Sequence, residues 1–522
     1  MNIFESIVNF FTGLSPANAF PVIVGLFLLF FFIYYNRTLR PQTGTAEWIE
    51  TEVTAPKLTF IAKRYPMNRA DITPLILICL VFSVLAVVNL GYTESVDVLS
   101  EIDEPSENKT HLNNLYFDEI YFVRTAVEHI GHIEPYENSH PPLGKEIIAA
   151  SILAFGMSPF GWRLMGAIFG VLMLVVMYVF IKNMFGKTII AVCGTLLLGF
   201  DFMRFVQTRI ATIDTYVVFF ILMSFFFMYR YITTNPNDSF RKGLLPLALS
   251  GIFFGLGFAV KWTGFYAGAG LLIIYLIRLS KLWFYYCATG RRGFGVYLTK
   301  TLLFSLLFFV IAPALVYYIT YIPYGFASGM TVNGGMLWDP QFVEIVWNNQ
   351  VVMFSYHSQL VAEHPFSSYW WQWILNIRPI LYVNNSYGDL RATFGAFGNP
   401  IVWWGGFIAM IIMAVRVVRY RDGKALFILI GYLSQLLPWV AVTRILFIYH
   451  YFPSTLFIVL ALAYIFNLVL QRDGKYSGKS VIVSYVAASG LLFAIFYPAL
   501  SGQYMPKWYY SNFIRWFSTW PF

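Results

Sequence analysis

Charged residues are scarce in this sequence. Only 12% of its 522 residues are Asp, Glu, Lys or Arg, whereas about 25% is usual for a soluble domain. So few charges cannot cover the surface of soluble domains of this total length. Hydrophobic residues make up 58% of the chain, and apolar runs long enough for a membrane helix recur from end to end. The sequence therefore predicts an all-α polytopic membrane protein.

Cysteine is nearly absent, and the motifs of several enzyme classes are missing. Cys79, Cys193 and Cys287 lie in or beside apolar segments without metal-ligand spacing, so we expect no disulfide framework. The sequence contains no HExxH motif, no GxGxxG motif that opens a helix after a strand, and no GxxxxGK[ST] motif. Catalytic zinc, a soluble nucleotide donor and ATP hydrolysis therefore gain no support. We expect no cofactor and no metal site, and the sequence leaves a divalent-ion requirement open.

Twelve apolar stretches are candidates for membrane-spanning helices. They fall near residues 18–36, 72–92, 161–182, 188–209, 212–232, 243–262, 264–280, 301–322, 400–418, 424–443, 446–469 and 480–500. The first stretch has no small-residue cleavage site, which favours an anchor over a removable signal peptide. Residues 1–71 are predicted to be an additional span with a basic cytoplasmic segment, and 72–522 a transmembrane catalytic domain. The short, glycine-rich stretches around Lys261 leave a broken or re-entrant pair open.

The position of the cations explains the net charge of +9. Most of the 35 Lys and Arg residues fall between alternate spans, in segments 37–69, 182–187, 230–242, 278–300, 416–424 and 472–479. The positive-inside rule places this face in the cytoplasm and both termini outside. The opposite face receives the two long segments, 93–160 and 323–399, and all seven histidines. We expect a multi-pass plasma-membrane protein with an extracytoplasmic active site, and no nucleic-acid partner.

The first long outer segment predicts two helices that are too short to span a bilayer. Its acidic beginning, residues 94–107, is interpreted as a solvated loop. Apolar residues then recur at helical spacing after Asp118, as far as Gly131. A second short helix is predicted over 144–155, and the stretch SHPPLGK (139–145) forms a rigid corner between the two. Such a corner would hold Asp118 and Glu119 near the membrane surface, although Asp118 could equally serve as a plain helix cap.

Cations also stand at the outer ends of apolar helices. Arg163, Arg209, Lys261 and Arg444 all occupy such positions. A charge within the hydrocarbon costs roughly 2.5–3.5 kcal/mol, and for any one of these residues snorkelling to the headgroups is an adequate explanation. Together with two acids and several histidines on one face, they favour a site for an anionic group at the membrane boundary. A lipid phosphate held by cations beside a carboxylate base would fit group transfer from a lipid-phosphate carrier.

Several motifs in this order resemble the protein O-mannosyltransferase family. They are FDEIYF, HPPLGK, GWRLMGAIFG, VQTRIATIDTYVVFF, GLGFAVKWTGFY, YHSQLVAEHPFSSYWWQWILNIRP, FGNPIVWW and RILFIYHYFPS, spread over about residues 72–470. The resemblance implies a GT-C glycosyltransferase fold and a polyprenyl-phosphate-mannose donor. It also implies inverting transfer of mannose to Ser or Thr hydroxyls of exported proteins.

The sequence departs from the family pattern in three places. Tyr121 stands where the family usually has His, and the second outer segment, about 75 residues, is too short for the β-trefoil MIR domain of eukaryotic members. This points to a bacterial-type member and leaves the choice of acceptor unexplained. Residues 1–71 match nothing in the family core.

The resemblance matches Asp118, Glu119, Arg163 and the turn with His140 and Lys145 to family positions. The other roles given next are our own hypotheses from the charge pattern. Asp118 and Glu119 match the catalytic acidic pair, with Asp118 as general base and Glu119 assisting it. Arg163 matches a functionally important arginine; the donor phosphate is assigned to a group of cationic and histidine residues, namely Arg163, Arg209, Lys261, His140 and Lys145. The acceptor or loop site is assigned to His357, His364, Arg378 and Arg444. The apolar pattern of residues 341–360 predicts an interfacial helix or a simple lid.

Two other functions remain open at this point. The same donor chemistry could serve a lipid or cell-wall glycan instead of a protein. A secondary transporter could also have twelve spans, but it would place its charges near the midplane and show matching halves, which this sequence does not. The expected partners are thus the lipid-linked sugar, an exported protein and membrane lipids, and the sequence does not indicate the sugar or an oligomeric state.

Overall fold

Helices long enough to cross a membrane dominate the fold. The computed structural model describes residues 64–101, 110–236, 238–331, 335–471 and 478–522. Within these ranges, ten helical stretches are long and apolar enough to span a bilayer, so the protein is a multi-pass membrane protein. The predicted span 18–36 and most of segment 1–71 lie outside the described residues, and the proposed division of the chain at residue 71 stays a prediction.

The described α-helices of four or more residues are numbered in chain order. They are α1 (Arg69–Val87), α2 (Val98–Glu101), α3 (Glu119–Ile130), α4 (Leu143–Phe155), α5 (Pro159–Phe185), α6 (Thr188–Gly199), α7 (Phe202–Gln207), α8 (Asp214–Ile232), α9 (Phe240–Val260), α10 (Tyr266–Ala288), α11 (Phe294–Leu306), α12 (Ala312–Ile319), α13 (Ile322–Ala327), α14 (Pro340–Gln359), α15 (Trp370–Ile374), α16 (Pro400–Tyr420), α17 (Gly423–Leu436), α18 (Phe452–Val469) and α19 (Gly478–Ser501). Several spans are extended by 3-10 or π turns, at Trp262–Phe265, Leu307–Ile311, Leu437–Ala441 and Ile448–Tyr451.

Local signals set the ends of the helices. In α5, the Ser158 side chain accepts a hydrogen bond from the Gly161 backbone N–H, Pro159 takes the first helical position, and Gly186 ends the helix at φ +78°. At α17, Asp422 caps in the same way by accepting from Lys424 and Ala425. Proline and a side-chain oxygen that caps the helix thus mark where these helices start. The periodicity of the sequence alone locates a helix start only to within several residues.

One predicted span is interrupted. The stretch 188–209 was expected to be a single helix, but it consists of α6 and the six-residue α7, separated at Phe200–Asp201. The Asp201 carboxylate accepts hydrogen bonds from the Arg204 backbone N–H and from the Trp403 indole. The first helix ends here because a buried aspartate caps the start of a second helix. The average hydropathy of the stretch does not show this break. By contrast, α9 and the span from Trp262 to Ala288 are both full-length, and only Lys261 separates them.

A buried ion pair and a group of hydrogen bonds agree with the alternating chain direction that the positions of the cations predict. At one end, Lys182 at the foot of α5 pairs with Asp71 in the first turn of α1 at 2.9 Å. At the other end, Arg209 donates to the carbonyls of Leu85, Val88 and Asn89, where α1 finishes. Residues predicted to face the cytoplasm therefore meet at one end of the bundle, and the long segments meet at the other.

The second long segment contains a small sheet that the sequence analysis did not predict. Strands β1 (Ile380–Tyr387) and β2 (Leu390–Ala396) form an antiparallel hairpin, and β3 (Met505–Pro506) pairs with β2. Gly388, at φ +55°, lies in the turn, a backbone conformation that favours glycine. The fold is predominantly helical, as predicted, and the described residues also include this one three-stranded sheet. The predicted short helices of the first segment are confirmed as α3 and α4, and residues 340–359 form helix α14.

Candidate active site

Asp118 stands immediately before α3 with its side chain uncommitted. Phe117 holds φ at +53°, and Asp118 occupies the capping position, yet its carboxylate makes no capping hydrogen bond. Its side chain also forms no ion pair with any residue that the structure describes, although the residue is only partly exposed. The plain-cap interpretation is therefore not supported. A half-buried carboxylate without a partner among the described residues is a candidate for contact with a substrate.

The surroundings of Asp118 favour a carboxyl group that exchanges protons near neutrality. Burial raises the pKa of Asp118 to about 7; Lys261 acts against this rise, and Asp214 and Glu137 add to it. Lys261 bridges both carboxylate oxygens of Asp214, at 2.9 and 3.0 Å. A general base is most effective when its pKa lies close to the working pH. A sufficient fraction of it is then ionised, and the ionised form still accepts a proton readily.

Aromatic rings line the same place. The ring of Phe117 lies 4.4 Å from that of Tyr382 on β1 and 5.8 Å from that of Tyr449. The Lys261 ammonium is 5.7 Å from the Tyr449 ring centre. The Tyr382 hydroxyl donates to the Gln207 side chain at 2.8 Å, which ties β1 to α7. Sequence reasoning missed Tyr382 and Tyr449, because no motif marks an aromatic wall assembled from distant segments.

Glu119, in contrast to its neighbour, is fully committed. Its carboxylate forms a two-pronged ion pair with Arg163, at 2.8 and 2.7 Å, and it also accepts from the Ala211 backbone N–H at 2.8 Å. Both side chains are completely buried. The Glu119–Arg163 pair therefore fastens the start of α3 to α5 and to the loop after α7.

Arg163 has no hydrogen left for a phosphate. Besides Glu119, its guanidinium donates to the backbone carbonyls of Leu90, His111 and Asn114. These bonds use all five of its N–H donors. Arg209 likewise donates to three carbonyls behind α1, and it is buried. The geometry therefore gives Arg163 a position in the scaffold, whereas Arg209 anchors the end of α1 and keeps its Nε–H without a partner among the described residues.

The SHPPLGK corner is held by a buried network around Glu137. The Lys145 ammonium donates to the Glu137 carboxylate at 2.6 Å and to the carbonyls of Glu137 and His140, at 2.9 and 2.8 Å. The other carboxylate oxygen of Glu137 lies 2.9 Å from His140 Nδ1. All three Lys145 hydrogens are thus used. Glu137 escaped the sequence analysis, although it stands three residues before His140.

Neighbouring charges set the protonation of this network. Burial opposes ionisation of Glu137, but Lys145 and His140 outweigh it and keep the pKa of Glu137 below its ordinary value. Burial lowers the pKa of His140, with Glu137 acting in the opposite direction. Burial, His140 and Arg444 lower the pKa of His357 to about 3. The two histidine rings, 5.2 Å apart, are therefore neutral at pH 7 and serve as hydrogen-bonding groups, not as cations.

The residues predicted for the acceptor side separate into two places. His357 Nε2–H donates to the Ser139 carbonyl at 2.8 Å, and His357 so belongs to the SHPPLGK corner. His364 packs on Phe447 at 5.0 Å, and the exposed Arg378 donates to the Pro365 carbonyl, so both belong to the loop before α15. The structure thus brings Asp118, Lys261, His140 and His357 to one end of the bundle, with His364 and Arg378 on its rim.

Arg444 differs from every other predicted cation. Among the described residues its side chain has neither a hydrogen bond nor an ion pair, and it is partly buried between α17 and α18. Its charge acts on His357, which places it close to the corner network. A guanidinium with spare donors and a carboxylate without a partner among the described residues give this end of the bundle one anion-binding group and one base.

Two family models match most of the chain. The model described as "Dolichyl-phosphate-mannose-protein mannosyltransferase" matches residues 151–324, and that described as "C-terminal four TMM region of protein-O-mannosyltransferase" matches residues 342–520. The chain belongs to the protein O-mannosyltransferase family. The matched ranges hold Lys261, Tyr382 and Arg444, whereas Asp118 and the SHPPLGK corner precede them.

Individual relatives of this mannosyltransferase family member align with the chain over most of their own length. The polyprenol-phosphate-mannose–protein mannosyltransferase of Corynebacterium glutamicum is 26% identical over 437 residues, 73% of this chain and 81% of that protein. That of Mycolicibacterium smegmatis is 27% identical, over 70% of this chain and 78% of the relative. The chain is therefore a lipid-phosphate-sugar-dependent glycosyltransferase.

A solved structure confirms the fold of this mannosyltransferase family member. The Saccharomyces cerevisiae Pmt1–Pmt2 complex bound to its sugar donor superposes with a TM-score of 0.73 at 13% identity, covering 90% of this chain and 95% of that one. The GT-C architecture expected from the motifs is thus confirmed.

Proposed function

We propose that this mannosyltransferase moves mannose from a polyprenyl-phosphate-mannose donor to Ser or Thr hydroxyls of exported proteins, at the extracytoplasmic face of the plasma membrane. Family membership and the names of the bacterial relatives support the donor, the sugar and the protein acceptor. The distribution of cations supports the orientation. The observation that carries the proposed mechanism is the Asp118 carboxylate, partnerless and with a pKa near 7.

The proposed reaction is a single inverting displacement. Asp118 takes the proton of the acceptor hydroxyl while that oxygen bonds to C1 of mannose from the face opposite the phosphate. The bond between C1 and the phosphate oxygen breaks, its electron pair leaves with the oxygen, and polyprenyl phosphate is released. No nucleotide or oxidant is needed for this balance. Release of the proton from Asp118 then resets the site.

We assign binding of the leaving phosphate to the cations whose hydrogen-bond donors or charge are still available. Arg444 offers unused guanidinium donors, which bind phosphate oxygens in a planar fork. Lys261 contributes its charge from within the Asp214 pair and keeps Asp118 ionisable. Stabilisation of developing charge by fixed cations in a partly dry site is commonly the largest contribution to rate. Tyr382, Tyr449 and Phe117 provide faces against which the sugar ring packs.

Four of the residues first assigned to chemistry are proposed as positioning residues. Glu119 and Arg163 fix the start of α3, and Arg209 fixes the end of α1, so together they set where Asp118 points. Lys145 fixes the corner that presents His140 and His357. His364 and Arg378, on the rim, remain the candidates for contact with the acceptor polypeptide.

Substitution of the two adjacent acids separates these roles. Asp118→Asn should abolish mannose transfer from polyprenyl-phosphate-mannose in membranes, while the protein keeps its melting temperature. Glu119→Gln should instead lower the melting temperature, because it leaves the buried Arg163 charge uncompensated, a loss of about 3–5 kcal/mol. Near-normal turnover by Asp118→Asn would remove Asp118 as the base.

The acceptor class is tested separately. Mass spectrometry of exported proteins from cells with and without the enzyme should show a hexose on Ser or Thr only when the enzyme is present. Hexose found on a membrane lipid or cell-wall glycan, with exported proteins unchanged, would support the alternative acceptor.

A further inference from the structure

A cationic cavity lies away from the active site, between the β1–β2 hairpin and the C-terminal segment 502–522. It encloses about 300 Å³. Its lining residues include Asn384, Ser386, Arg391, Lys507, Tyr510 and Arg515. Three of these six carry a positive charge, and none of the proposed catalytic or positioning residues lines the cavity.

Acidic groups do not neutralise these cations. Among the described residues, Arg391, Lys507 and Arg515 form no ion pair, and the segment 502–522 contains no Asp or Glu at all. The hairpin has one acid, Asp389, whose backbone carbonyl accepts from the Lys507 N–H while its side chain makes no ion pair with them. Burial lowers the pKa of Arg391, Tyr510 acts against this change, and the charge of Arg515 adds to it. Like charges that converge without a counter-charge create a site that favours an anion.

Hydrogen bonds hold the inner side chains of the cavity in place, so the cavity is not a chance grouping of surface side chains. Arg391 Nε donates to the Asn384 side chain at 2.9 Å, and Arg391 Nη2 donates to the Pro521 carbonyl at 3.0 Å. The Thr393 backbone N–H donates to the Tyr510 hydroxyl at 3.2 Å. These bonds and the pairing of β2 with β3 fix Arg391 and Tyr510 as the inner wall, while Lys507 and Arg515 are exposed at the rim.

The position of the cavity indicates which kind of anion it binds. Helix α19 has 24 residues, about 36 Å, which exceeds the roughly 30 Å of hydrocarbon, so the residues after Ser501 lie at headgroup level. The segment also exposes large aromatic side chains, with Trp508 at 58%, Phe513 at 45% and Phe517 at 46%. Exposed aromatic residues beside cations are typical of the membrane–water interface. An acidic soluble peptide would not account for these apolar surfaces.

We infer that this cavity binds the phosphate of an anionic phospholipid headgroup, in the leaflet that the active site faces. Arg391 supplies a planar fork to the phosphate oxygens, and Lys507 and Arg515 close over it from the rim. The site is separate from the one that holds the sugar donor. Strand β1 connects the two, since Asn384 lines the cavity and Tyr382, two residues earlier, packs on Phe117.

Native mass spectrometry of the full-length protein in neutral detergent tests the inference. In titrations, phosphatidylglycerol should bind one site at least about tenfold more tightly than phosphatidylcholine. The double variant Lys507→Gln/Arg515→Gln should lose this preference, and Lys507→Arg/Arg515→Lys should keep it because both charges remain. Arg378→Gln removes an equivalent exposed charge from the same face and should bind phosphatidylglycerol like the wild type.

Four outcomes would overturn the inference. Equal binding of the two lipids by the wild type, or an unchanged preference in the Gln double variant, would remove the headgroup site. Saturation by soluble glycerol phosphate at matched concentration would indicate a site for free phosphate instead of a lipid. Displacement of the lipid by an acidic peptide that binds more tightly would reassign the cavity to a polypeptide. An unchanged melting temperature of the double variant guards against loss through misfolding.

Discussion

At the scale of single residues, two adjacent carboxyl groups have opposite environments. Glu119 receives three hydrogen bonds, two of them from a buried guanidinium, whereas Asp118 receives none. Adjacent acids whose environments differ in this way take different roles, one structural and the other able to exchange a proton. The direction in which each side chain points decides the role, because both come from the same pair in the chain.

The pH dependence of transfer should report Asp118. Because a general base acts in its ionised form and the pKa of Asp118 is raised to about 7, kcat should rise with pH between 6 and 8. Asp214→Asn removes a negative charge that raises this pKa, so the midpoint should move to lower pH. Glu344→Gln, an exposed acid on α14, should leave the midpoint in place. The measurement is kcat against pH in purified protein, and a midpoint unaffected by Asp214→Asn would contradict the assignment.

Arg444 should contribute to donor use and not to folding. Because its guanidinium makes no bond within the described protein, Arg444→Gln should leave the melting temperature unchanged. Loss of a charged hydrogen bond to phosphate should lower kcat/KM for the lipid donor by about 10- to 100-fold. Arg444→Lys should recover part of this loss, and Arg292→Gln, an exposed cation at the opposite end of the bundle, should have no effect. Full activity in Arg444→Gln would assign the phosphate to another group.

At the scale of elements, the SHPPLGK corner acts as a fixed joint between α3 and α4. Pro141 and Pro142 remove two backbone donors and restrict the chain, and Lys145 returns from α4 to bind two carbonyls and a carboxylate of the corner. Without a counter-charge, a completely buried ammonium would be strongly unfavourable. The corner is thus rigid because its charges are paired as well as because of its prolines.

The stability of the corner should depend on Lys145. Lys145→Met keeps most of the side-chain volume but leaves the Glu137 carboxylate buried without its partner, which should cost about 3–5 kcal/mol. The exposed pair Lys242–Asp238 offers a matched control, since Lys242→Met should cost only about 0.3–0.5 kcal/mol. Thermal unfolding in detergent measures both, and equal shifts for the two variants would contradict a buried-pair role.

At the scale of the whole molecule, charge and membrane thickness together arrange the chain. Apolar helices with cations at alternate ends place the long segments on one side, and there α3, α4, α14 and the small sheet assemble over the bundle. The active-site candidates come from both long segments and from the outer ends of α8, α9 and α18. No single domain of the sequence therefore contains the site.

Cysteine labelling should verify this arrangement in intact cells. In a variant lacking Cys79, Cys193 and Cys287, Asp389→Cys lies in the exposed hairpin turn and should react with a membrane-impermeant maleimide. Arg292→Cys, in an exposed loop of the predicted cytoplasmic face, should react only after permeabilisation. The reverse pattern would invert the orientation and place Asp118 in the cytoplasm.

Sequence by itself determined the properties that depend on composition and local order. Low charge and apolar runs established a polytopic helical protein, the alternation of cations predicts its orientation, and short motifs such as FDEIYF and HPPLGK indicated the family and Asp118. These features are readable because hydrophobic partition and the positive-inside rule act on each segment separately.

Only the tertiary structure decided which charged residues are free to do chemistry. Arg163 and Arg209 resemble phosphate ligands in the sequence, yet a carboxylate and carbonyls brought from 44 to 73 residues away occupy every N–H donor of Arg163, and carbonyls 120 to 124 residues away accept from Arg209. The same long-range packing leaves the side chains of Asp118 and Arg444 without a hydrogen bond or ion pair among the described residues, and it sets Tyr382 against Phe117. A hydrogen bond is satisfied or unsatisfied by the three-dimensional neighbours of its atoms, and those neighbours are set by the packing of the whole bundle.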